Sequence, residues 1–192
     1  MLWTTDTGRG QAMWYVVQTT SGREKIAVEK CRNALSREAA CRIFAPTCEL
    51  EKVWRGQRNK EIVIAFPGYV FIESDTPKDL KDQLQNISSV VTPVCIGGGF
   101  YPIRADEEAV LRRMMDGNDC IRFSVGYLVD QVLIVKEGPL QGFTEAVRWI
   151  DRHKRAALIE ISLFNELRKM KVGLEVKAKL TAEEYQQMMQ SA

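Results

Sequence analysis

Residues 65–73 read Ala65-Phe66-Pro67-Gly68-Tyr69-Val70-Phe71-Ile72-Glu73, which is the densest apolar and aromatic run in the chain. Pro67 lacks a backbone N–H, so it suits the first residue of a strand better than the middle of one. Gly68 supplies a backbone conformation, or a close approach, that a side chain would block. The run therefore predicts a tight entry into a strand that begins at Tyr69.

The strand predicted at residues 69–73 is apolar on both faces. Side chains alternate along a strand, which places Val70 and Ile72 on one face and Tyr69 and Phe71 on the other. A strand that is covered on both faces belongs in the middle of a sheet. In a second interpretation, Phe66 and Tyr69 at the strand entrance help line an apolar docking pocket for a partner. The stretch by itself favours the core strand.

Composition places the chain among globular proteins with one large or two small domains. It has 192 residues, of which 45% are hydrophobic, and a formal net charge of +2. No run approaches the about 20 apolar residues that a membrane helix needs. Residues 1–12 are polar and lack the apolar core of a secretory signal, so we interpret them as an extension or tag, with Met13 as an internal start. We expect a cytoplasmic protein with no membrane segment.

The cysteines and the single histidine argue against metal or nucleophile chemistry. The cysteines are odd in number and have no CxxC spacing, which disfavours a zinc site or a disulfide framework. We expect them to pack as small apolar residues. His153 lies in a basic run that favours solvent exposure. The sequence thus predicts no catalytic residue, no metal and no cofactor. The alternative is an enzyme whose nucleophile is one of the five cysteines, Cys31, Cys41, Cys48, Cys95 and Cys120.

The first domain, predicted at residues 13–117, alternates strands with helices. Ser21 and Glu24 fit a capping box at the start of a helix that runs to about residue 40. Thr76 and Pro77 fit the start of a second helix. A third helix is predicted at 106–115, and strands are predicted at 14–19, 42–45, 48–54, 61–65, 69–73 and 90–96, the last near a sheet edge. The polar segment 55–60 is interpreted as a solvated hairpin tip. This order predicts an α+β sandwich with helices against a mostly antiparallel sheet.

A turn-rich linker, predicted at residues 118–124, leads to an all-β domain at residues 125–180. Strands are predicted at 131–135, 144–150, 157–161 and 169–176. They are separated by turns that include the basic turn 152–155 and a turn in which Asn165 tolerates the left-handed conformation. These segments predict a small barrel of about five strands. Residues 181–192 predict a short helical tail.

Two groups of segments resemble one family of transcription factors. The first group resembles the N-terminal (NGN) domain of NusG-type elongation factors, and comprises residues 14–18, 22–24 and 66–71. The second resembles the KOW module that follows it, and comprises Val125-Gly126, Val132, residues 137–140 and Gly142-Phe143. The match covers roughly residues 13–178 in the expected order. The run at residues 150–155 looks most like the LoaP-type specialised paralogues, which act on particular operons.

The resemblance implies a fold, partners and site residues. It implies an NGN sandwich followed by an SH3-like KOW barrel, with the NGN domain docked on the clamp helices of bacterial RNA polymerase to favour elongation over termination. Trp14, Phe66 and Tyr69 match the family's apolar docking pocket. In LoaP-type proteins the KOW domain is implied to bind a hairpin in the nascent leader RNA. The sequence leaves open whether ribosomal or termination proteins are further partners of the KOW domain. Glu145 stands where the KOW pattern has a glycine, so the strand bends less there or Glu145 has an unusual backbone conformation.

The charge of the second domain agrees with RNA binding. Residues 121–180 hold eleven Lys or Arg and seven Asp or Glu, a net of +4. Clustered positive charge on a small barrel suits phosphate binding. A solvated turn is the plainer alternative, because Asp151 lies within the cluster. For the whole protein, the alternative function is a ribosome-associated KOW protein that binds folded rRNA. The candidate RNA-binding residues are Arg148, Arg152, His153, Lys154 and Arg155.

Overall fold

The computed structural model describes residues 11–95 and 98–191, which form two compact units. The first unit combines the chain up to Ala45 with Pro67–Glu108, and the second combines Pro46–Phe66 with Ala109–Ala192. Most of the predicted extension at residues 1–12 lies outside the described residues, as does Ile96 at the end of a predicted strand.

The described strands and helices are, in chain order, β1 (Met13–Gln18), α1 (Glu24–Ala34), β2 (Arg42–Phe44), β3 (Thr47–Trp54), β4 (Gln57–Ile64), β5 (Tyr69–Ser74), α2 (Pro77–Gln85), β6 (Thr92–Pro93), α3 (Ala105–Met114), β7 (Cys120–Ile121), β8 (Ser124–Val129), β9 (Val132–Glu137), a 3₁₀ turn (Thr144–Ala146), β10 (Val147–Asp151), β11 (Ala156–Leu163), β12 (Glu166–Leu180) and α4 (Ala182–Gln190). The mixture of helices with mostly antiparallel strands confirms the α+β class.

The first unit is built on a four-stranded sheet in the order β2-β5-β1-β6, all antiparallel. β5 is an inner strand, as the apolar run predicts. Val70 and Ile72 lie in a hydrophobic core that also includes residues of α1 and α2. On the opposite face, the rings of Phe44 and Phe71 stack with centroids 5.6 Å apart. Both faces of β5 are therefore covered, which explains why its sequence is apolar at successive positions.

Gly68 makes the entry into β5 by both of the means that the sequence suggests. Its φ is +86°, and a Cβ there would lie 3.2 Å from the carbonyl oxygen of Thr19. That carbonyl belongs to a chain segment held close by the Thr19 N–H, which donates to the Gly68 carbonyl oxygen at 2.8 Å. Any other residue at this position would need a left-handed backbone conformation and would also bring its Cβ close to the Thr19 carbonyl oxygen. Both conditions favour glycine.

The capping box predicted at Ser21 is wrong. The N-cap of α1 is Arg23, and no side chain caps the helix. Glu24, a residue that is 2% exposed, instead accepts hydrogen bonds through its carboxylate from the N–H groups of Gly22 and Gly68 at 3.0 and 2.7 Å. The glutamate therefore joins the helix start to the entry of β5 because a buried carboxylate needs donors, and the nearest ones are backbone amides of that entry.

Other element boundaries also differ from the predictions. Helix α1 ends at Ala34 and not near residue 40, because Ser36 accepts a hydrogen bond from the Ala39 N–H and starts a separate turn. Thr76 is the N-cap of α2, but its hydroxyl donates to the Glu38 carbonyl oxygen at 2.9 Å and makes no cap bond. The strand predicted at 90–96 is reduced to Thr92–Pro93 at the sheet edge, where Pro93 has no N–H to extend the ladder.

The second unit contains a five-stranded sheet in the order β10-β11-β12-β8-β9. β11 and β12 pair antiparallel through a tight turn in which Phe164 and Asn165 have φ of 61° and 59°, so the left-handed Asn165 is confirmed. β12 pairs with β8 in parallel. Glu145 lies in the 3₁₀ turn before β10, outside any strand, and is not among the positive-φ residues. Neither alternative for Glu145 is therefore correct, because the chain turns before the strand begins.

A hairpin of β3 and β4 completes the second unit, with β7 added in parallel to β3. The two strands pair over their whole length, so the turn is only Arg55-Gly56, and residues 57–60 of the predicted loop belong to β4. The hairpin and its exposure to solvent agree with the prediction, and only the length of the loop is wrong. The base of the hairpin packs on β12, where the Cys48 thiol donates to the Lys171 carbonyl oxygen at 3.4 Å. A Cβ at Gly173 would lie 2.6 Å from the carbonyl oxygen of Glu49. A glycine is therefore required where hairpin and barrel backbones meet.

Candidate nucleic-acid interface

The predicted basic turn joins β10 to β11 and occupies residues 152–155. Asp151 organises it: its carboxylate accepts a hydrogen bond from the Lys154 N–H at 2.9 Å and lies 3.8 Å from the Lys154 ammonium nitrogen. The Lys154 side chain is 70% exposed. The acidic residue within the cluster therefore shapes the turn, and it leaves Arg152 exposed to solvent.

Two of the candidate arginines are bound to carboxylates. The Nε of Arg148 donates to Glu160 at 3.0 Å across the β10–β11 pair. Arg155 has a φ of 45° and lies 3.0 Å from Glu51 of the hairpin and 3.2 Å from Glu175 of β12. Its side chain is 32% exposed. Arg155 thus connects three parts of the unit: the turn, the hairpin and the barrel.

Arg58 of the hairpin joins the same arrangement. Its guanidinium lies 3.3 Å from the Glu51 carboxylate and donates to the His153 carbonyl oxygen at 3.3 Å. The Glu51 side chain is 9% exposed and is shared between Arg58 and Arg155. A mostly buried carboxylate with two guanidinium partners is an ion-pair network rather than an isolated surface bridge. The network holds the hairpin beside the basic turn.

An open groove of about 710 Å³ lies between these elements. Its cationic lining residues include Arg58, Arg152 and Arg155, and the strand residues Ile150 and Val176 also line it. The two carboxylates in the lining, those of Asp151 and Glu175, are already paired with Lys154 and Arg155. The remaining lining residues are Trp149, His153 and Lys177. The groove is therefore polar and positively charged, with one aromatic side chain.

Trp149 is 57% exposed, which is unusual for so large an apolar side chain. A β-bulge explains its position. Val147 pairs with Ile159 and Trp149 pairs with Leu158, so Arg148 is one extra residue on the edge strand β10. Regular alternation would place Arg148 and Trp149 on opposite faces, and the bulge leaves both exposed. Bulges at sheet edges are known to redirect side chains in this way.

The three residues predicted to form the polymerase-docking pocket are placed as follows. Trp14 is 1% exposed and packs edge-on against Phe44 and Phe71, with centroids 5.0 and 6.0 Å away. Tyr69 is half-buried and pairs with Gln18 at the far end of the β1–β5 ladder from Trp14. Phe66 is 6% exposed and ends the hairpin segment of the second unit. Trp14 and Tyr69 share a sheet face but are four strand positions apart.

Three of the cysteines, Cys31, Cys48 and Cys120, are buried as expected, whereas Cys41 and Cys95 are exposed, so the packing prediction is wrong for those two. Burial raises the pKa of the Cys48 thiol to about 11, which suppresses the reactive thiolate. Within residues 11–95 and 98–191, no group of three His, Cys, Asp or Glu side chains is arranged to hold a metal ion. None of the helices described is long and apolar enough to cross a membrane.

Comparisons with known proteins agree with the resemblance seen in the sequence. The family model described as "Transcription termination factor nusG" matches residues 12–112, which is more than half of the chain. The chain belongs to the NusG family. The transcription termination/antitermination protein NusG of Vibrio vulnificus is 29% identical over 159 residues, covering 79% of this chain and 86% of that protein. The NusG of Xylella fastidiosa is 29% identical over 166 residues, covering 79% and 90%.

A solved structure of Thermotoga maritima NusG matches the fold of this NusG-family chain. The TM-score is 0.52 at 20% sequence identity, and the match covers 88% of this chain and 96% of that one. The four-stranded α+β sheet and the five-stranded all-β sheet thus correspond to an NGN domain and a KOW domain. Membership in a family of transcription termination and antitermination factors follows from the matches, and the predicted family and fold class are confirmed.

Sequence reasoning missed three features of the interface. The sequence predicts Arg58 at a solvated hairpin tip, yet its guanidinium contacts the basic turn 95 positions later in the chain. Lys177 lies just beyond the strand predicted at 169–176, and no pattern in the sequence indicates that it lines the groove. Trp149 was recognised as a strand residue, but its exposure depends on the bulge at Arg148. The one signal in the sequence was the Arg-Trp pair beside a basic run, since aromatic and basic side chains commonly occur together in nucleic-acid sites.

Proposed function

We propose that this NusG-family protein is a non-enzymatic, LoaP-type transcription elongation and antitermination factor of the bacterial cytoplasm. Its NGN domain binds the clamp helices of RNA polymerase, and its KOW domain binds a hairpin in the nascent leader RNA. Together the two contacts suppress termination in particular operons. The family match supports the transcription role, and the exposed basic turn supports the RNA contact.

For the polymerase contact, the supporting feature is the aromatic face of the NGN sheet. Tyr69 is half-buried, so it offers a partly accessible ring at one end of β5. Trp14 lies beneath the surface, and its packing against Phe44 and Phe71 gives that face a rigid base. Tyr69 is therefore the direct anchor in this proposal, whereas the buried Trp14 stabilises the same sheet face four strand positions away. Aromatic anchors supply much of the energy of many protein interfaces.

For the RNA contact, the observation that carries the proposal is the pair of exposed cations, Arg152 and Lys154, at one edge of a positively charged groove. Arg152 forms no ion pair with any residue of 11–95 or 98–191, so its planar fork of donors is available for phosphate oxygens. His153 lines the same groove and offers a further hydrogen bond. Arg148 and Arg155 contribute positive charge, but their carboxylate partners make them mainly positioning residues.

Transcription through a terminator placed after the leader tests the whole proposal. Wild-type protein is expected to increase read-through on the leader template, and a variant with Arg152→Ala and Lys154→Ala is expected to lose that increase while binding the clamp helices normally. Lys169→Ala is the matched control, because it removes an exposed lysine from the same sheet outside the groove. Read-through that is equally high in the double variant would contradict the RNA contact.

The salt dependence of RNA binding provides a second measurement. Each lost phosphate contact is expected to reduce the slope of log affinity against log salt by about 0.7 to 0.9. The slope for the double variant should therefore fall by one to two times this amount, and the slope for the Lys169→Ala control should not change. Sedimentation of the protein with ribosomes, together with no affinity for polymerase, would support the ribosome-associated alternative instead.

A further inference from the structure

We propose that the groove beside the basic turn binds an unpaired RNA base, stacked on the indole of Trp149. Arg152 and Lys177, which line the same groove, would then contact the phosphates that neighbour that base. This inference rests on the proposed RNA-binding function and adds the form of RNA that is recognised: a single-stranded loop, bulge or end, rather than a paired stem.

The exposed position of Trp149 is built into the strand. The extra residue Arg148 turns the indole toward solvent on edge strand β10, where a regular ladder would have exposed only one of the two side chains. The Arg148 side chain donates to Glu160 at 3.0 Å, so this contact fastens the bulge of β10 to the neighbouring strand β11. A rigid, flat and accessible aromatic ring is the feature on which nucleic-acid bases stack.

The charges around the ring favour a polyanion over a neutral ligand. Four cationic residues line the groove against two carboxylates. Asp151 is paired with Lys154, which lies outside the lining, and Glu175 is paired with Arg155, one of the four. Lys177, like Arg152, forms no ion pair among the residues that the structure describes, and it is exposed. Unpaired cations that line the same groove as an exposed aromatic ring suit the alternation of base and phosphate along a single strand.

The shape of the site distinguishes single strands from duplexes. Paired A-form RNA hides its base edges and faces in the stack, so a protein ring reaches a base only where the pairing is open. The groove volume of about 710 Å³ lies within the range of sites for small organic ligands and accommodates one nucleotide without opening the barrel. Stacking depends little on base identity, so the site predicts preference for unpaired RNA with weak sequence selectivity.

The test uses the full-length chain and two labelled probes: a mixed-sequence single-stranded RNA of about 12 nucleotides and a blunt duplex of the same sequence. Wild-type protein is expected to prefer the single strand. Trp149→Ala should weaken single-strand binding about tenfold and leave duplex binding unchanged, because it removes one stacking contact. Trp149→Phe retains an aromatic ring and should restore most of the loss. Trp54→Ala, which removes another exposed tryptophan of the same unit outside the groove lining, should change neither affinity.

Indole fluorescence gives a direct readout of the contact. Single-stranded RNA is expected to quench the wild-type emission, and the quenching should disappear in Trp149→Phe although binding persists. Unchanged single-strand affinity in Trp149→Ala, or equal weakening for both probes, would overturn the stacking site. If Trp149→Ala gives either of these results but Arg152→Ala still weakens RNA binding, the proposed RNA-binding function stands and only the stacking site is overturned. Failure of the wild-type protein to bind either probe or the leader hairpin would overturn the proposed RNA function itself.

Discussion

Replacing Glu24 by glutamine tests how the helix start is fastened to the entry of β5. The Oε1 atom of Glu24, a residue that is 2% exposed, accepts both the Gly22 and Gly68 N–H groups, at 3.0 and 2.7 Å. A glutamine retains an acceptor oxygen but loses the charge. Hydrogen bonds to charged groups contribute about 1.5–3 kcal/mol and neutral ones about 0.5–1.5, so Glu24→Gln should lower the free energy of unfolding by about 1–2 kcal/mol at neutral pH.

The pH dependence of this difference gives the sharper test. Burial alone would raise the pKa of Glu24, but hydrogen bonds from the backbone of Gly68, Glu24 and Gly22 outweigh it, and the pKa is lowered overall. The stabilisation is therefore complete above the unfolded-state value of about 4.3 and is lost as the pH falls through the lower folded-state value. The difference between wild type and Glu24→Gln should be constant from about pH 7 to 5 and shrink below about pH 4.

Urea unfolding at a series of pH values measures this difference, with the Gly68 amide resonance as a local probe. Glu29→Gln is the matched control, since Glu29 is an exposed glutamate on the same helix. The control should stay within about 0.5 kcal/mol of the wild type at neutral pH. Equal unfolding free energies for Glu24→Gln and wild type at pH 7 would refute the reasoning. A difference that persists unchanged into acid would show that shape, and not charge, makes the contribution.

Three further predictions concern other parts of the molecule. Tyr69→Ala should weaken binding to an isolated clamp-helix fragment by about 2 kcal/mol while circular dichroism remains native, and an unchanged affinity would show that Tyr69 is no anchor. Arg155→Ala should lower the free energy of unfolding by about 1–2 kcal/mol, because Glu175 loses its partner and Glu51 keeps only Arg58, whereas Arg152→Ala should change it by no more than about 0.5 kcal/mol; equal losses would show that Arg152 and Arg155 do not differ in structural role. At about pH 8, a thiol reagent should label Cys41 quickly and Cys48 only after unfolding, and similar rates in the native protein would rule out the buried state of Cys48.

Local sequence patterns predicted those elements whose conformation depends on neighbouring residues in the chain. The alternation at Val70, Phe71 and Ile72 identified an inner strand, since side-chain direction in a strand has a period of two. Pro67 and Gly68 located its entry, because both act through their own backbone. The same patterns failed at the ends of elements. Ser36 shortened α1 by starting its own turn, a competition that periodicity of the apolar residues does not reveal.

By itself, then, the sequence determined the order of the elements, the inner strand β5, the α+β followed by all-β organisation, and the family resemblance. Only the tertiary structure decided which charges are available. Arg155 meets Glu51 across 104 positions, and a one-residue bulge exposes Trp149. From the sequence, all basic residues of a cluster look equivalent. The tertiary structure shows which of them form ion pairs with carboxylates and which are exposed to solvent. The physical reason is that ion pairs and register form between segments distant in the chain, so no local pattern encodes them.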